Sequence, residues 1–319
     1  MNIPLPYQSS AIRLQTIASR LVADHDVHLS VLRLDNIHAE ISGNKWFKLL
    51  PVLKAARESG QSLLSFGGAW SNHVHALAYA GHCLGIKTIG VIRGEPEYAD
   101  NAMLSDAQRW GMRLHFVSRS EYRQRHEMKY HDQLRQQHGP VQVIPEGGAT
   151  LEAVHSVQSI WQLPALAGEA CDYLVTAVGT GSTLAGLVAG RPEHAHVLGV
   201  PVLKYDQRLI QDVRTWLQLQ GVDPEAGWSL LPDAHQGGYA RLGAELARTL
   251  RVLEAGFDLP LDPVYTGKAM MALMRAVLQG NIPSGSRVVF LHTGGLQGRR
   301  GMAQRLSVLA PDFTGPLAL

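Results

Sequence analysis

The sequence predicts an α/β protein built on mostly parallel sheets. Short β-branched apolar runs alternate with stretches of helical pattern along the chain, as successive βαβ units require. The runs are apolar at consecutive positions, as in Leu174-Val175-Thr176-Ala177-Val178, which fits strands covered on both faces. Several runs also pass straight into glycine-rich turns that open the next helix, and the carboxyl ends of such strands are where open α/β sheets hold ligands.

Taken in order, the strands expected on this pattern are Val27–Asp35, Ser62–Gly68, Lys87–Arg93, Arg113–Ser118, Val141–Pro145, Tyr173–Val178, His196–Val202 and Arg287–His292. The helices expected between and after them are Trp46–Glu58, Asn72–Leu84, Asn101–Trp110, Thr183–Ala189, Gln207–Gln220, Tyr239–Arg251 and Lys268–Gln279. The charged segment Arg119–Gln137 reads as a solvated helix face. No repeat or low-complexity stretch interrupts the series.

A length of 319 residues suggests two domains. With 45% hydrophobic and 18% charged residues, global disorder is excluded. The net charge of +2 gives no support for a nucleic-acid binder. Two cysteines, Cys83 and Cys171, are too few for a disulfide framework. The 15 histidines occur in near pairs such as His126 and His131 without metal-ligand spacing, so no metal site is expected. Neither a signal peptide nor a run of roughly 20 apolar residues is visible, and a cytoplasmic location is the expectation.

Four segments have the composition of a site. Gly179-Thr180-Gly181-Ser182-Thr183 lies between a buried strand and a helix; its backbone N–H groups and hydroxyls suit a phosphate. It is neither a Walker loop, lacking Gly-Lys-Ser/Thr, nor a Gly-x-Gly-x-x-Gly fingerprint, since the next glycine after Gly181 is Gly186. A nicotinamide-dependent dehydrogenase is therefore disfavoured. Ser71-Asn72-His73 opens a helix and suits a carboxylate, or is a simple N-cap. Lys45, after Ser42-Gly43-Asn44, reads by itself as a surface lysine, or as one that enters a cleft, where partial desolvation would favour Schiff-base formation. His292-Thr293-Gly294-Gly295 closes the last strand.

In this order the motifs resemble those of the 1-aminocyclopropane-1-carboxylate deaminase/D-cysteine desulfhydrase family, pyridoxal-phosphate enzymes of the tryptophan-synthase-β fold type II. Ser42-Gly43-Asn44-Lys45-x-x-Lys48-Leu49 is similar to the family's cofactor segment, with Arg33-Leu34-Asp35 before it. Gly67-Gly68-Ala69-Trp70-Ser71-Asn72-His73-Val74, Gly179–Gly186, Asp262-Pro263-Val264-Tyr265-Thr266-Gly267-Lys268 and His292–Gly295 match its later segments. The resemblance implies a larger cofactor-binding domain of residues 1–48 and 156–319 and a smaller α/β domain of 49–155, with the chain a homodimer.

The resemblance also implies roles. Lys45 carries the cofactor and moves the Cα proton of the substrate, and Asn72 bonds the cofactor's phenolic oxygen. Gly179, Thr180, Gly181, Ser182 and Thr183 hold the phosphate with Lys48 nearby. Ser71, Asn72 and His73 meet the substrate carboxylate. Tyr265 and Tyr239 face the substrate, and Thr293 or Thr266 is a neutral partner for the pyridine nitrogen. Trp70, where the family usually has Gln, alters the pocket wall. Thr266 stands where ring-opening deaminases carry Glu and desulfhydrases carry Thr.

These features predict α,β-elimination from a small amino acid, D-cysteine first, giving pyruvate, ammonia and sulfide. Ring opening of 1-aminocyclopropane-1-carboxylate, with Ser71 or Tyr265 acting at a ring methylene, is the alternative within the class. A non-catalytic pyridoxal-phosphate carrier or sensor would need Lys45 and the phosphate loop but neither tyrosine.

Overall fold

The apolar runs become the strands of two sheets. The computed structural model describes residues 9–311 apart from 206, 233, 239 and 240. In chain order its strands are β1 (Leu14–Thr16), β2 (His28–Leu32), β3 (Ser62–Gly68), β4 (Thr88–Arg93), β5 (Arg113–Val117), β6 (Val141–Ile144), β7 (Tyr173–Val178), β8 (His196–Pro201), β9 (Trp228–Leu230) and β10 (Arg287–Leu291). A six-stranded sheet runs β1-β2-β10-β7-β8-β9 and a four-stranded sheet β5-β4-β3-β6. Only the β1–β2 pairing is antiparallel among the described residues.

The register decides what meets at the sheet ends. β10 inserts between β2 and β7, with Phe290 opposite both Val31 and Val175. The segments leaving β2, β10 and β7 therefore emerge side by side. In the smaller sheet β3 pairs with β6, with Ser65 opposite Ile144, so the turns after Gly68 and Ile144 are neighbours as well.

One apolar core joins the inward faces of both sheets. It combines Leu63 of β3 and Leu174 of β7 with Phe47, Leu49 and Leu53 of the Asn44–Ser59 helix and Val154 of the Leu151–Val157 helix. The helices Ala244–Phe257 and Thr266–Leu278 cover the outer face of the larger sheet. Gly186 in the Ser182–Gly190 helix allows a close helix contact, since a Cβ there would lie 2.6 Å from the Val154 carbonyl oxygen.

Local differences from the sequence reading have local causes. The helix expected over 239–251 is found at Ala244–Phe257. Gly243 is extended at its start, and the buried face continues through Leu246, Leu250 and Leu253. Strands β1 and β9, three residues each, are too short to show a period. The Leu151–Val157 helix, also not foreseen, is only seven residues long.

The larger sheet fixes the first turn of the Asn44–Ser59 helix through an interlock of two glycines. Gly43 has φ 65 and ψ −139, and a Cβ there would lie 2.0 Å from the Thr293 carbonyl oxygen. A Cβ on Gly294, where φ is 78, would lie 2.4 Å from Ser42 Oγ. Behind this contact the buried Arg33 guanidinium donates to both carboxylate oxygens of Asp35, at 2.9 and 2.7 Å. Gly43 N–H donates to the Leu34 carbonyl at 3.1 Å, and Ser42 Oγ donates to the Asp35 carbonyl at 3.3 Å. Gly294 N–H donates to His292 Nδ1 at 3.1 Å, so His292 Nε2 carries the proton given to the Pro260 carbonyl at 2.7 Å.

This interlock predicts a difference between two glycines of the same helix. Gly60, the C-cap, has φ 70, but a Cβ added to it would meet nothing within 4 Å. Gly60→Ala is expected to lower the unfolding free energy by about 1 kcal/mol, and Gly43→Ala by about 3 kcal/mol or more, since overlap adds to the backbone cost. Urea denaturation of both variants measures it; equal losses would show that the close approach contributes nothing.

Candidate active site

The segments leaving β2, β10, β7, β3 and β6 line one cavity of about 990 Å³ between the sheets. Lys45 and Lys48 enter it from the first turn of the Asn44–Ser59 helix. Their spacing of three puts both on one helix face. Lys45 Nζ donates to Asn44 Oδ1 at 3.2 Å, and Asn44 Nδ2 donates to Thr183 Oγ1 at 2.8 Å. Asn44, which the sequence reading left without a role, thus ties Lys45 to the Gly179–Thr183 loop.

Enclosure changes both amines. Burial lowers the Lys45 pKa to about 8, with the charge of Asp262 pulling the other way. Burial, reinforced by the charge of Lys45, holds Lys48 well below the usual lysine value. Lys48 ends near the turn after β6, its Nζ 3.9 Å from where a Cβ on Gly147 would stand and Thr180 Cγ2 3.1 Å from the same point. The Gly147–Gly148 turn was not foreseen as part of the site. It repeats the strand-to-glycine signal of the other segments, with φ 69 and 70.

The Gly179–Thr183 loop forms a cup. Gly181 has φ 85, and a Cβ on it would stand 2.8 Å from Val213 Cγ2 of the Gln207–Leu219 helix. Gly181 is also the N-cap of the Ser182–Gly190 helix and leaves its first turn without a side-chain cap. That helix end opens on the cavity. Thr180 Oγ1 and Ser182 Oγ lie 3.2 Å apart. Such a cup, with Lys48 beside it, could hold a phosphate.

Ser71, also on the cavity lining, caps the Asn72–Leu84 helix by accepting from Val74 N–H at 3.3 Å. The Asn72 carboxamide lies against the last segment, where a Cβ on Gly295 would stand 2.7 Å from its Nδ2. Asn72 Oδ1 is buried with no hydrogen-bond partner among the described protein atoms, an orphan that suits a polar group of a bound molecule. Thr293 lines the cavity, as does Tyr265, whose ring edge stands 3.4 Å from a Cβ position on Gly179.

Four expected residues stand differently. Ser182 is fully buried and does not line the cavity. Thr266 is fully buried and its hydroxyl donates to Asp262 Oδ1 at 2.7 Å. It does not line the cavity, which leaves Thr293 of the two threonines facing it. Trp70 does not line the cavity either; its ring lies against the Gly301 backbone, with Cη2 2.6 Å from a Cβ position there. The His73 side chain turns away from the helix start, and its Nε2 meets Ser65 Oγ of β3 at 2.8 Å. Tyr239 lies outside the described residues.

Asp262, which the sequence reading quoted in a motif without a role, lies behind the cavity wall. It is buried and accepts from the backbone N–H groups of Val264, Tyr265 and Thr266 at 2.9, 2.8 and 2.8 Å. It thereby fixes Tyr265 at the cavity wall and sets a negative charge near Lys45. An Asp ahead of an apolar helical run is the available signal for it. Lys268, two residues after Thr266, is buried and donates to the His235 and Gly238 carbonyls at 2.9 and 2.7 Å. Lys268 does not line the cavity, whereas Lys45 and Lys48 do. Among the described residues no group of three or more His, Cys, Asp or Glu could hold a metal ion.

Comparison with known proteins agrees with this geometry. A Thermotoga maritima protein with the provisional name 1-aminocyclopropane-1-carboxylate deaminase is 30% identical over 300 residues, 90% of this chain and 95% of that one. The D-cysteine desulfhydrase of Klebsiella pneumoniae is 28% identical over 286 residues, 83% of this chain and 86% of its own. A crystal structure described as an ACC deaminase homologue superposes with a TM-score of 0.82 at 26% identity, covering 93% of each chain. Residues 12–294 match the family described as pyridoxal-phosphate dependent enzyme. With a lysine amine, a glycine cup and an orphaned carboxamide gathered in one cleft of a fold type II α/β structure, the chain belongs to the pyridoxal-phosphate dependent enzymes.

Proposed function

We propose that this enzyme catalyses α,β-elimination from a small amino acid, with D-cysteine the leading substrate and pyruvate, ammonia and sulfide the products. The observation that carries the reading is the Lys45 amine, lowered to about 8, in the same cavity as the Gly179–Thr183 cup and Tyr265. The names of the Klebsiella and Thermotoga relatives support the substrate class. We also propose the two-domain division at residues 1–48 with 156–319 and 49–155, a homodimer, and a cytoplasmic location. Among the described residues no helix is long and apolar enough to cross a membrane.

Pyridoxal phosphate, when bound, supplies the electron sink that makes loss of a Cα proton feasible. The residues of the chain do the rest. The cup from Gly179 to Thr183, with Lys48, would hold its phosphate, Asn72 its phenolic oxygen and Thr293 its ring nitrogen. Lys45 would hold the aldehyde carbon and would move the Cα proton of the substrate. The N–H groups at the Ser71–His73 helix start bind the substrate carboxylate and orient the molecule. Tyr265, fixed by Asp262, faces the substrate, and Tyr239 is its proposed companion.

The second reading, ring opening of 1-aminocyclopropane-1-carboxylate, rests on the names of relatives. That substrate has no Cα hydrogen for Lys45 to remove, so a group such as Ser71 or Tyr265 must act at a ring methylene. Elimination from D-cysteine needs only proton removal at Cα and departure of a good leaving group.

Borohydride reduction of the loaded enzyme should fix the cofactor on Lys45, and peptide mapping should find it there. A label on Lys48 or Lys268 would overturn the assignment. In cofactor-free protein, attachment should accelerate as pH rises through about 8, because only the neutral amine attacks a carbonyl. Asp262→Asn should move that midpoint downward, since Asp262 holds the Lys45 pKa up. A midpoint unmoved or raised would remove Asp262 from this role.

Gly181→Val should weaken cofactor binding on the order of 100-fold, as about 3 kcal/mol of strain and overlap implies. Equilibrium titration of the folded variant measures it, and unchanged affinity sinks the cup.

The test of the reaction is keto-acid release from an amino-acid panel that includes both cysteine enantiomers and 1-aminocyclopropane-1-carboxylate. Pyruvate and sulfide from D-cysteine are expected, with little 2-oxobutanoate from the cyclopropane. Efficient ring opening with D-cysteine inert would reverse the ranking, and no turnover of any member would leave a carrier or sensor as the better reading.

A further inference from the structure

Ser65 and His73 form a buried pair that the reaction outlined above does not use. Both are buried, on β3 and in the first turn of the helix that follows it. Ser65 Oγ donates to the Ile144 carbonyl at 3.0 Å, with the Pro145 carbonyl at 3.4 Å. A serine hydroxyl has one proton, and neither carbonyl can return one. Turning that proton toward His73 would leave oxygen lone pairs facing each other in a dry interior. The contact of 2.8 Å between Ser65 Oγ and His73 Nε2 is therefore a hydrogen bond donated by Nε2–H.

The other ring nitrogen is then a bare lone pair. His73 Nδ1 is buried and has no partner among the described protein atoms. It sits on the wall shared by the lysine and the cup. A Cβ on Gly148 would stand 3.2 Å from His73 Nδ1 and 3.7 Å from Lys48 Cε. The adjacent Gly147 stands between Lys48 Nζ and Thr180 in the same sense, and His73, Lys48 and Thr180 all line the cavity.

We infer that Ser65 locks His73 in the Nε2–H tautomer, so that Nδ1 is a fixed acceptor for the Lys48 ammonium when an anion occupies the Gly179–Thr183 cup. An ammonium has three donors and no acceptor. With one donor on the anion, its other donors need acceptors, and Nδ1 supplies one. A protonated His73 would instead set a second positive charge beside Lys48. Burial and the charges of Lys45 and Lys48 act against that state, holding the imidazole pKa well below its usual value. Ser65 and His73 are positioning residues here, acting on the anion through Lys48. The inference rests on the cup being the phosphate site of the cofactor.

The test uses the full chain loaded with cofactor and carrying isotopically labelled histidine nitrogens, with the His73 signals identified by their loss in His73→Gln. Wild type at neutral pH is expected to show a proton on Nε2 and none on Nδ1. Ser65→Ala is expected to lose that pattern and to bind cofactor about tenfold more weakly, the size of one charge-assisted hydrogen bond. Ser65→Thr, which keeps the hydroxyl, is expected to restore both. A proton on Nδ1 in wild type, or a Ser65→Ala protein with unaltered tautomer and affinity, overturns the inference. Should Ser65→Ala fail to fold, the wild-type spectrum decides alone. Gly181→Val separates the two readings: if it binds cofactor as tightly as wild type, the cup itself has failed. If it binds weakly while Ser65→Ala is unaffected, only the His73 inference has failed.

Discussion

The site depends on one backbone contact. Gly43 and the Thr293–Gly294 peptide touch so closely that a methyl added to Gly43 would lie 2.0 Å from the Thr293 carbonyl oxygen, and one added to Gly294 would lie 2.4 Å from Ser42 Oγ. That contact sets the azimuth of the Asn44–Ser59 helix, and with it the direction of Lys45 and Lys48. The buried Arg33–Asp35 pair and the His292 ring hold the two turns from behind. Removing one partner of such a buried pair strands a charge and costs roughly 3–5 kcal/mol. The ion pair therefore serves position more than net stability.

Electrostatics then make the cleft receptive to an anion. Two lysines share one helix face, and an uncapped helix start opens on the same cavity. Burial drives both amines toward the neutral form, and the charge of Lys45 makes that of Lys48 costlier still. A phosphate in the cup would favour the charged form of Lys48. Asp262 moderates this balance, but its oxygens are already occupied by three backbone N–H groups and the Thr266 hydroxyl. It tunes Lys45 at a distance and is not positioned as a proton carrier.

The two residues expected to govern substrate preference illustrate how neighbours in sequence part company in space. Trp70 precedes Ser71 and Asn72, yet the chain turns between β3 and the next helix, and its ring goes to Gly301. Thr266 follows Tyr265, yet at a helix start successive side chains diverge, and its hydroxyl closes a ring with Asp262. Any influence of Thr266 on the reaction passes through Asp262 and the first turn of its helix.

The sequence by itself determined the fold class and, through the resemblance of its ordered motifs, the cofactor, and it pointed to Lys45, Lys48, Asn72, Tyr265 and Thr293, which line the cavity. Those signals are local: apolar runs of strand length, glycine turns at strand ends, and a lysine after Gly-Asn each follow from backbone and solvation preferences over a few residues. Tyr239, outside the described residues, stays a reading of the sequence. Only the tertiary structure decided which strand ends are neighbours. β10 enters between β2 and β7, and that insertion brings Thr293 against Gly43. It also decided the partners of Asn44, Asp262, Ser65 and His73, because hydrogen bonds between distant segments leave no period in the chain. A side chain's chemistry is written in its own residue, whereas its proton, its charge and its direction are set by whatever the fold packs against it.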